Sequence, residues 1–140
     1  MKTRKLPLML SLLLMLSLFV PAAHATNDER MVIQPKYAGI SRLSAVFSIS
    51  AAGKSSCGSE VKLSNSTYSV ELTMELQQKN GNSWETIKTW TTSGSGTVSL
   101  DKSWYVTSGS TYRIHTTAAV YNSAGRLVEA PTVDSASQKY

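Results

Sequence analysis

The sequence predicts an all-β protein, namely a single antiparallel sandwich of two sheets with about seven strands, which follows an N-terminal signal helix. Apolar and polar residues alternate with a period of two along most of the chain, and clusters of Gly, Ser and Asn interrupt this alternation about every 8 to 15 residues. The helical period of 3.6 does not recur after the N-terminal apolar run. Together these observations favour short strands joined by turns.

Residues 1–25 are predicted to be a secretory signal peptide. Three basic residues precede an apolar run from Leu8 to Val20, and Ala23-His24-Ala25 supplies the small residues that a signal peptidase requires. The alternative is an uncleaved membrane anchor, but the run is shorter than the roughly 20 apolar residues that span a bilayer. We therefore expect cleavage after Ala25 and secretion, with membrane contact only through the signal before cleavage.

The charge balance argues against nucleic acid or an anionic membrane as the partner. The chain carries 14 Lys and Arg residues against 9 Asp and Glu residues, and three of the basic residues lie in the predicted signal. The remaining 11 and 9 leave a net charge of +2, whereas such partners require a clustered surplus of Lys and Arg.

The sandwich domain is predicted at residues 38–134, between a flexible leader at 26–37 and a loose polar tail at 135–140. Its first three strands are separated by turns at 51–55 and 64–67. The third strand is apolar on one face and polar on the other, as in a sheet with one face in water. The residues predicted to face inward are Leu43, Ala45, Phe47 and Ile49, then Cys57, Ser59, Val61 and Leu63, then Val70, Leu72, Met74 and Leu76.

A hairpin is predicted to join the third and fourth strands. Asn80-Gly81 between alternating runs is a strong hairpin signal, because both residues tolerate positive φ. The return strand from Trp84 to Thr91 has an unclear phase, since Ile87 lies on the face opposite Trp84 and Trp90. We expect a β-bulge to resolve this conflict.

The second half of the domain continues the pattern after a loop predicted at residues 92–96. A fifth strand contains Val98 and Leu100 and continues through Trp104, and a last strand at 127–133 is interrupted by Pro131, which is typical of a sheet edge. The inward-facing residues of the sixth strand are predicted to be Tyr112, Ile114, Thr116, Ala118 and Val120.

The segment from Val106 to Ile114 resembles the corner and Gly-x-x-Tyr-x-hydrophobic strand of immunoglobulin-like and fibronectin-like domains. The resemblance implies a structural role for Tyr112, whose hydroxyl is expected to bond back to the preceding corner. Ile114 stands where an immunoglobulin domain has its second cysteine, and the disulfide between the sheets is therefore absent.

More narrowly, the chain resembles small secreted proteins of Gram-positive bacteria whose function is uncharacterised. The similarity lies in the signal, in Leu76-Gln77 running into the segment from Asn80 to Trp84, in Trp90, and in the element from Gly109 to Ile114. This resemblance implies the fold and a secreted, extracellular location that includes association with the cell wall, but it implies no mechanism.

No metal or cofactor site is predicted, because the mature part contains only one cysteine, Cys57, and one histidine, His115. Cys57 is predicted to be buried and structural, and an exposed thiol that links two chains is the main alternative. A nucleophilic Cys57–His115 pair is the least favoured interpretation. His115 falls on the outward face of the sixth strand and is interpreted as a surface histidine.

The sequence predicts that the protein is not an enzyme. It contains no Gly-x-Ser-x-Gly elbow and no glycine-rich phosphate loop before a helix. Glu71 and Glu75 share a solvated strand face, and Asp101, Glu129 and Asp134 are scattered near turns. None of these acids forms the paired arrangement that glycoside hydrolysis requires.

Aromatic residues are the positive indication of binding, with Trp84, Trp104 and Tyr121 as the candidates. The competing interpretation is that Trp90 and Trp104 fill the space between the sheets, while the role of Trp84 stays open. The leading hypothesis is a monomeric recognition, adhesion or cell-envelope accessory module that binds an unknown protein or a cell-surface glycan. Its surface would be the loops at one end and the hairpin at 79–90. The alternatives are a carbohydrate-binding module that uses Trp84 and Trp104, and a secreted inhibitor or toxin-like protein that presents the 92–96 loop.

Overall fold

A computed structural model describes residues 37–140, which form two antiparallel sheets packed face to face, and no helix occurs in this range. The smaller sheet has the order β1-β2-β5, with β1 at Ile40–Ile49, β2 at Lys54–Leu63 and β5 at Thr97–Tyr105. The larger sheet has β4 (Ser83–Gly94), β3 (Ser69–Asn80) and β6 (Thr111–Tyr121), followed by the short strands β7 (Leu127–Glu129), β8 (Thr132–Asp134) and β9 (Gln138–Lys139). This two-sheet arrangement confirms the predicted fold class. The predicted signal, and the leader up to residue 36, lie outside the described residues.

The three short strands act as one interrupted edge strand, because β7, β8 and β9 pair in succession with the same side of β6. Pro131 lies in the first break, where it has no amide hydrogen to donate, and its carbonyl accepts a hydrogen bond from the amide of Ala118 at 3.0 Å. Between residues 37 and 140, nine strand segments therefore occupy seven strand positions.

The alternation of side chains places the core between the sheets as predicted. The apolar residues predicted to face inward on β3 and all five inward residues on β6 are buried. Thr116 is the polar member of this set, and its hydroxyl lies 2.6 Å from that of Ser59 on the opposite sheet. This bond satisfies both buried hydroxyl groups and joins the two sheets through the core.

The hairpin between β3 and β4 is confirmed, but its turn differs from the prediction by one residue. Asn80 pairs with Ser83, so that Gly81 and Asn82 are the two central residues. Of these two turn residues, only Gly81 has a positive φ, of 59°. A glycine at the first central position is the pattern of a type II′ turn, whereas the predicted Asn80-Gly81 turn requires positive φ at both positions.

The predicted bulge in β4 is also confirmed, and it determines where the tryptophans lie. Leu76 pairs with Lys88 while Gln77 pairs with Thr86, so that Ile87 has no partner on β3. Because paired residues share a face of the sheet, the bulge puts Trp84 on the outer face and Trp90 on the inner face.

Two predicted boundaries are wrong. The loop expected at 92–96 is reduced to Ser95 and Gly96, because β4 continues to Gly94 and β5 begins at Thr97. The expected loose tail at 135–140 is instead part of the larger sheet through β9. The composition of this polar segment does not reveal that its backbone pairs with β6.

The corner before β6 has the geometry that the resemblance implied. The Tyr112 side chain is buried, and its hydroxyl donates a hydrogen bond to the carbonyl oxygen of Thr107 at 2.8 Å. Tyr112 therefore anchors the turn that leads into the central strand of the larger sheet.

Candidate functional site

The most organised group of polar side chains lies on the outer face of the larger sheet, opposite the core. We call it the outer-face network. Strand register brings it together, because Gln77 on β3 pairs with both Thr86 on β4 and Arg113 on β6, and His115 on β6 pairs with Asp134 on β8. Its members are Glu75, Gln77, Trp84, Thr86, Arg113, His115 and Asp134.

Arg113 is the centre of the outer-face network. Its Nε donates to Gln77 Oε1 at 2.9 Å, and its Nη1 donates to Asp134 Oδ2 at 2.8 Å. The guanidinium carbon lies 4.3 Å from the centroid of the Trp84 ring, which is a cation–π contact. Arg113 is therefore held by three other strands of the sheet and is positioned before any ligand arrives.

Asp134 joins Arg113 and His115, two outward-facing side chains of β6. Its second oxygen, Oδ1, lies 2.6 Å from His115 Nδ1, while Oδ2 accepts from Arg113. An ionised carboxylate can only accept, so that the proton of this bond belongs to His115 Nδ1 and the Nε2 atom of the neutral ring is an acceptor. The side chain of Asp134 is 41% exposed, which places this bridge at the surface.

Glu75 and Thr86 extend the network to β4. The Thr86 hydroxyl donates to Glu75 Oε1 at 3.4 Å, and Gln77 Nε2 donates to the same hydroxyl at 3.5 Å. These bonds are long, and Glu75 and Thr86 are accessible to solvent while Gln77 is buried, so that the bonds orient the side chains with little effect on stability.

A second aromatic group lies where the edges of the two sheets adjoin, and we call it the edge cluster. Trp90 on β4 and Trp104 on β5 meet edge to face with ring centroids 6.5 Å apart, and Lys88 Nζ lies 4.6 Å from the centroid of Trp104. Trp90 is half-buried against the core. Trp104 pairs with the buried Ser55 and therefore faces Trp90 across the two sheets, but it is 41% exposed. It closes the edge of the space between the sheets, and the interpretation that it fills that space is confirmed only in part.

The three aromatic candidates do not form one site. Trp84 belongs to the outer-face network and Trp104 to the edge cluster. Tyr121 ends β6, eight residues beyond Arg113, which is roughly 26 Å along an extended strand. A single ligand surface that contains both tryptophans, as the carbohydrate-binding hypothesis assumed, is not present.

A shallow depression crosses the outer face of the smaller sheet, where Val46, Gly58 and Asp101 lie side by side in register. The charged pair at its border, Arg42 and Glu60, is 3.8 Å apart and largely exposed. An exposed pair of this kind orients its side chains weakly, and the depression is less organised than the outer-face network.

Cys57 is buried between the sheets with 2% of its surface exposed, as predicted. It cannot form a nucleophilic pair with His115, because that side chain lies on the outer face of the larger sheet. Burial raises the pKa of the Cys57 thiol, and the contact with the Ser55 hydroxyl opposes this effect in part. The thiol is therefore neutral at physiological pH.

The raised pKa predicts a loss of stability at alkaline pH. The thiol of the unfolded chain ionises near pH 8.5. The contribution of Cys57 to the free energy of unfolding is therefore complete below about pH 8.5, and it declines as the pH rises through the higher pKa of the folded protein. We expect the free energy of unfolding, measured by urea denaturation between about pH 7 and pH 10, to fall more steeply for the wild type than for Cys57→Ala. Parallel pH profiles would contradict this expectation.

Within the range 37–140, no three His, Cys, Asp or Glu side chains lie close enough together to hold a metal ion. In the same range no helix is long and apolar enough to cross a membrane.

Sequence reasoning identified Trp84 but missed Arg113, Gln77 and the role of Asp134. The outward alternation of Arg113 and His115 on the sixth strand was an available signal. The position of Asp134 was not available, because it depends on how the chain resumes pairing with β6 after Pro131.

Comparison with known proteins does not assign a family. No protein-family model matches the chain, and no curated protein matches it. The geometry of the described residues is therefore the basis for proposing a function.

Proposed function

We propose that this chain is a secreted, non-enzymatic recognition domain that binds its ligand on the outer-face network. The predicted signal at residues 1–25 supports secretion, and the resemblance to secreted Gram-positive proteins supports action at the cell envelope. The likeness to immunoglobulin-like and fibronectin-like domains is part of this proposal, and it is supported by the two-sheet strand order and the Tyr112 corner.

The observation that carries the proposal is the connected set of bonds around Arg113. This residue contacts Gln77, Trp84 and Asp134, which come from three different strands, on a sheet face that is open within residues 37–140. A binding surface benefits from side chains that are already oriented by rigid strands, because little conformational entropy is lost when the ligand binds.

The absence of enzymatic activity is proposed from the surroundings of His115. The His115–Asp134 bond has the form of the orienting half of a nucleophile-His-Asp triad. However, His115 Nε2 has no hydroxyl or thiol partner in the described part of the chain. Cys57, the strongest nucleophile by residue type, lies in the core. These observations favour a binding role for His115.

The structure also weakens the inhibitor alternative. That hypothesis relied on a loop at residues 92–96, but the connection is only Ser95 and Gly96. Two residues offer little surface for a protein target.

We expect replacement of Trp84 by Ala to reduce binding to cell-envelope material by about tenfold or more, because an aromatic anchor and the stacking partner of Arg113 are lost together. The full chain would be produced with its own signal peptide in a Gram-positive host and purified from the medium, where we expect its N-terminus at Thr26. The bound fraction would be measured by sedimentation with purified envelopes.

The matched control is Trp104→Ala, which removes a tryptophan from the edge cluster and leaves the outer face unchanged. Circular dichroism and the urea midpoint would verify that both variants are folded. Equal loss of binding in the two variants, or retention of the chain in the cytoplasm, would contradict the proposed function.

A further inference from the structure

We infer that the outer-face network takes a neutral, polyhydroxylated ligand, namely the sugar rings of an uncharged polysaccharide. This inference rests on the proposed function, since it names the ligand class of the same site.

The first support is the set of hydrogen-bonding atoms that the network leaves available. Arg113 Nη2, His115 Nε2 and Glu75 Oε2 have no hydrogen-bond partner among the residues that the structure describes. Nη2 is a donor, Oε2 is an acceptor, and Nε2 is an acceptor in the neutral ring. A hydroxyl group both donates and accepts, so that the hydroxyls of a polysaccharide can satisfy free donors and free acceptors alike.

The second support is charge. The Arg113 guanidinium is paired with Asp134 at 2.8 Å and is stacked on Trp84. Glu75 lies on the same face of the sheet, opposite His115. An anionic ligand would have to compete with Asp134 for this cation and would approach a second carboxylate. A cationic ligand would compete with Arg113 for Asp134. A neutral ligand leaves every existing ion pair in place.

The third support is the shape and composition of the face. Trp84 is half-buried with Arg113 over one face of its ring, and the part of the ring that stays exposed is an apolar surface of the kind that packs against the C–H face of a sugar. Further along the same face, the hydroxyls of Thr73 and Thr91 lie 3.3 Å apart. The distance from Trp84 to this pair is roughly 20 Å along the strands, which accommodates several linked sugar rings.

The experiment is affinity gel electrophoresis of the protein purified from the medium, in gels that contain one soluble polysaccharide each. The neutral probes are dextran, laminarin, galactomannan and xyloglucan, and the anionic probes are alginate and polygalacturonate. We expect at least one neutral probe to retard the wild type, with little dependence on salt. Trp84→Ala, His115→Ala and Glu75→Gln should each weaken the retardation by about tenfold, while Trp104→Ala should not change it.

The outcomes separate this inference from the proposed function. Envelope binding that depends on Trp84, combined with retardation only by anionic probes or by no neutral probe, would overturn the neutral-ligand inference and leave the proposed function intact. Failure of the wild type to bind envelopes, or envelope binding that Trp84→Ala leaves unchanged, would overturn both the neutral-ligand inference and the proposed function. Glu75→Gln and His115→Ala change partly exposed side chains, so that they test the site even if Trp84→Ala disturbs folding.

Discussion

Replacing Ile114 by Ala should lower the free energy of unfolding by about 2–5 kcal/mol, because truncation of a buried side chain removes apolar contacts and leaves a cavity. Ile114 is fully buried and lies in the centre of the larger sheet, where it pairs with Leu76 on β3. β6 is hydrogen-bonded to strands on both of its sides, so that its backbone has little freedom to collapse into the cavity.

The measurement is urea denaturation followed by tryptophan fluorescence, with Ile87→Ala as the matched control. Ile87 is 38% exposed at the bulge of β4 and has no partner on β3, so that the same truncation should cost less than roughly 1 kcal/mol. Similar losses in the two variants would show that burial does not govern stability at these positions.

Removal of residues 135–140 should destabilise the protein by roughly 3–5 kcal/mol, with each lost hydrogen bond contributing about 1 kcal/mol. The Ser135 hydroxyl accepts from the amide of Ile114 in the core, and the Ser135 amide donates to the carbonyl of Ile114. The Tyr140 amide donates to the carbonyl of Ser110, and the Tyr140 carbonyl accepts from the amide of Gly109. Truncation leaves the buried Ile114 amide without a partner, which adds to the cost.

Gln138→Ala is the control for the truncation. It removes both side-chain bonds of Gln138 to the smaller sheet, namely the one that Oε1 accepts from the amide of Ile49 at 3.1 Å and the longer one that Nε2 donates to the carbonyl of Phe47 at 3.4 Å. It keeps the backbone pairing of β9 with β6. We expect a loss of about 1 kcal/mol in the same urea experiment. A truncated protein as stable as the wild type would mean that β9 adds nothing to the sandwich.

The strand pattern was predictable wherever one face of a strand is buried and the other is wet. On β6, all five residues from Tyr112 to Val120 that were expected to face inward are buried, and β3 behaves in the same way. The reason is local, because successive side chains of an extended chain point to opposite faces and a shift of one residue would put the apolar set in water.

The candidate site was predictable only in part. His115 was correctly placed on the outer face of β6, and a bulge was expected in β4. However, the sequence does not show which residue of β4 pairs with which residue of β3, and that register decides whether Trp84 shares a face with Arg113 or with the core. The exposure of Trp104 was likewise missed, because alternation assigns a face without showing how far the two sheets separate at their edges.

The sequence by itself determined the class of fold, the inward and outward faces of the main strands, and the burial of Cys57, since each depends on periodicity within one segment. Only the tertiary structure decided that Asp134 bridges Arg113 and His115 and that residues 135–140 complete the larger sheet. These features depend on the register between strands that are distant in the chain, and that register is set by packing of the whole sandwich, which no local pattern specifies.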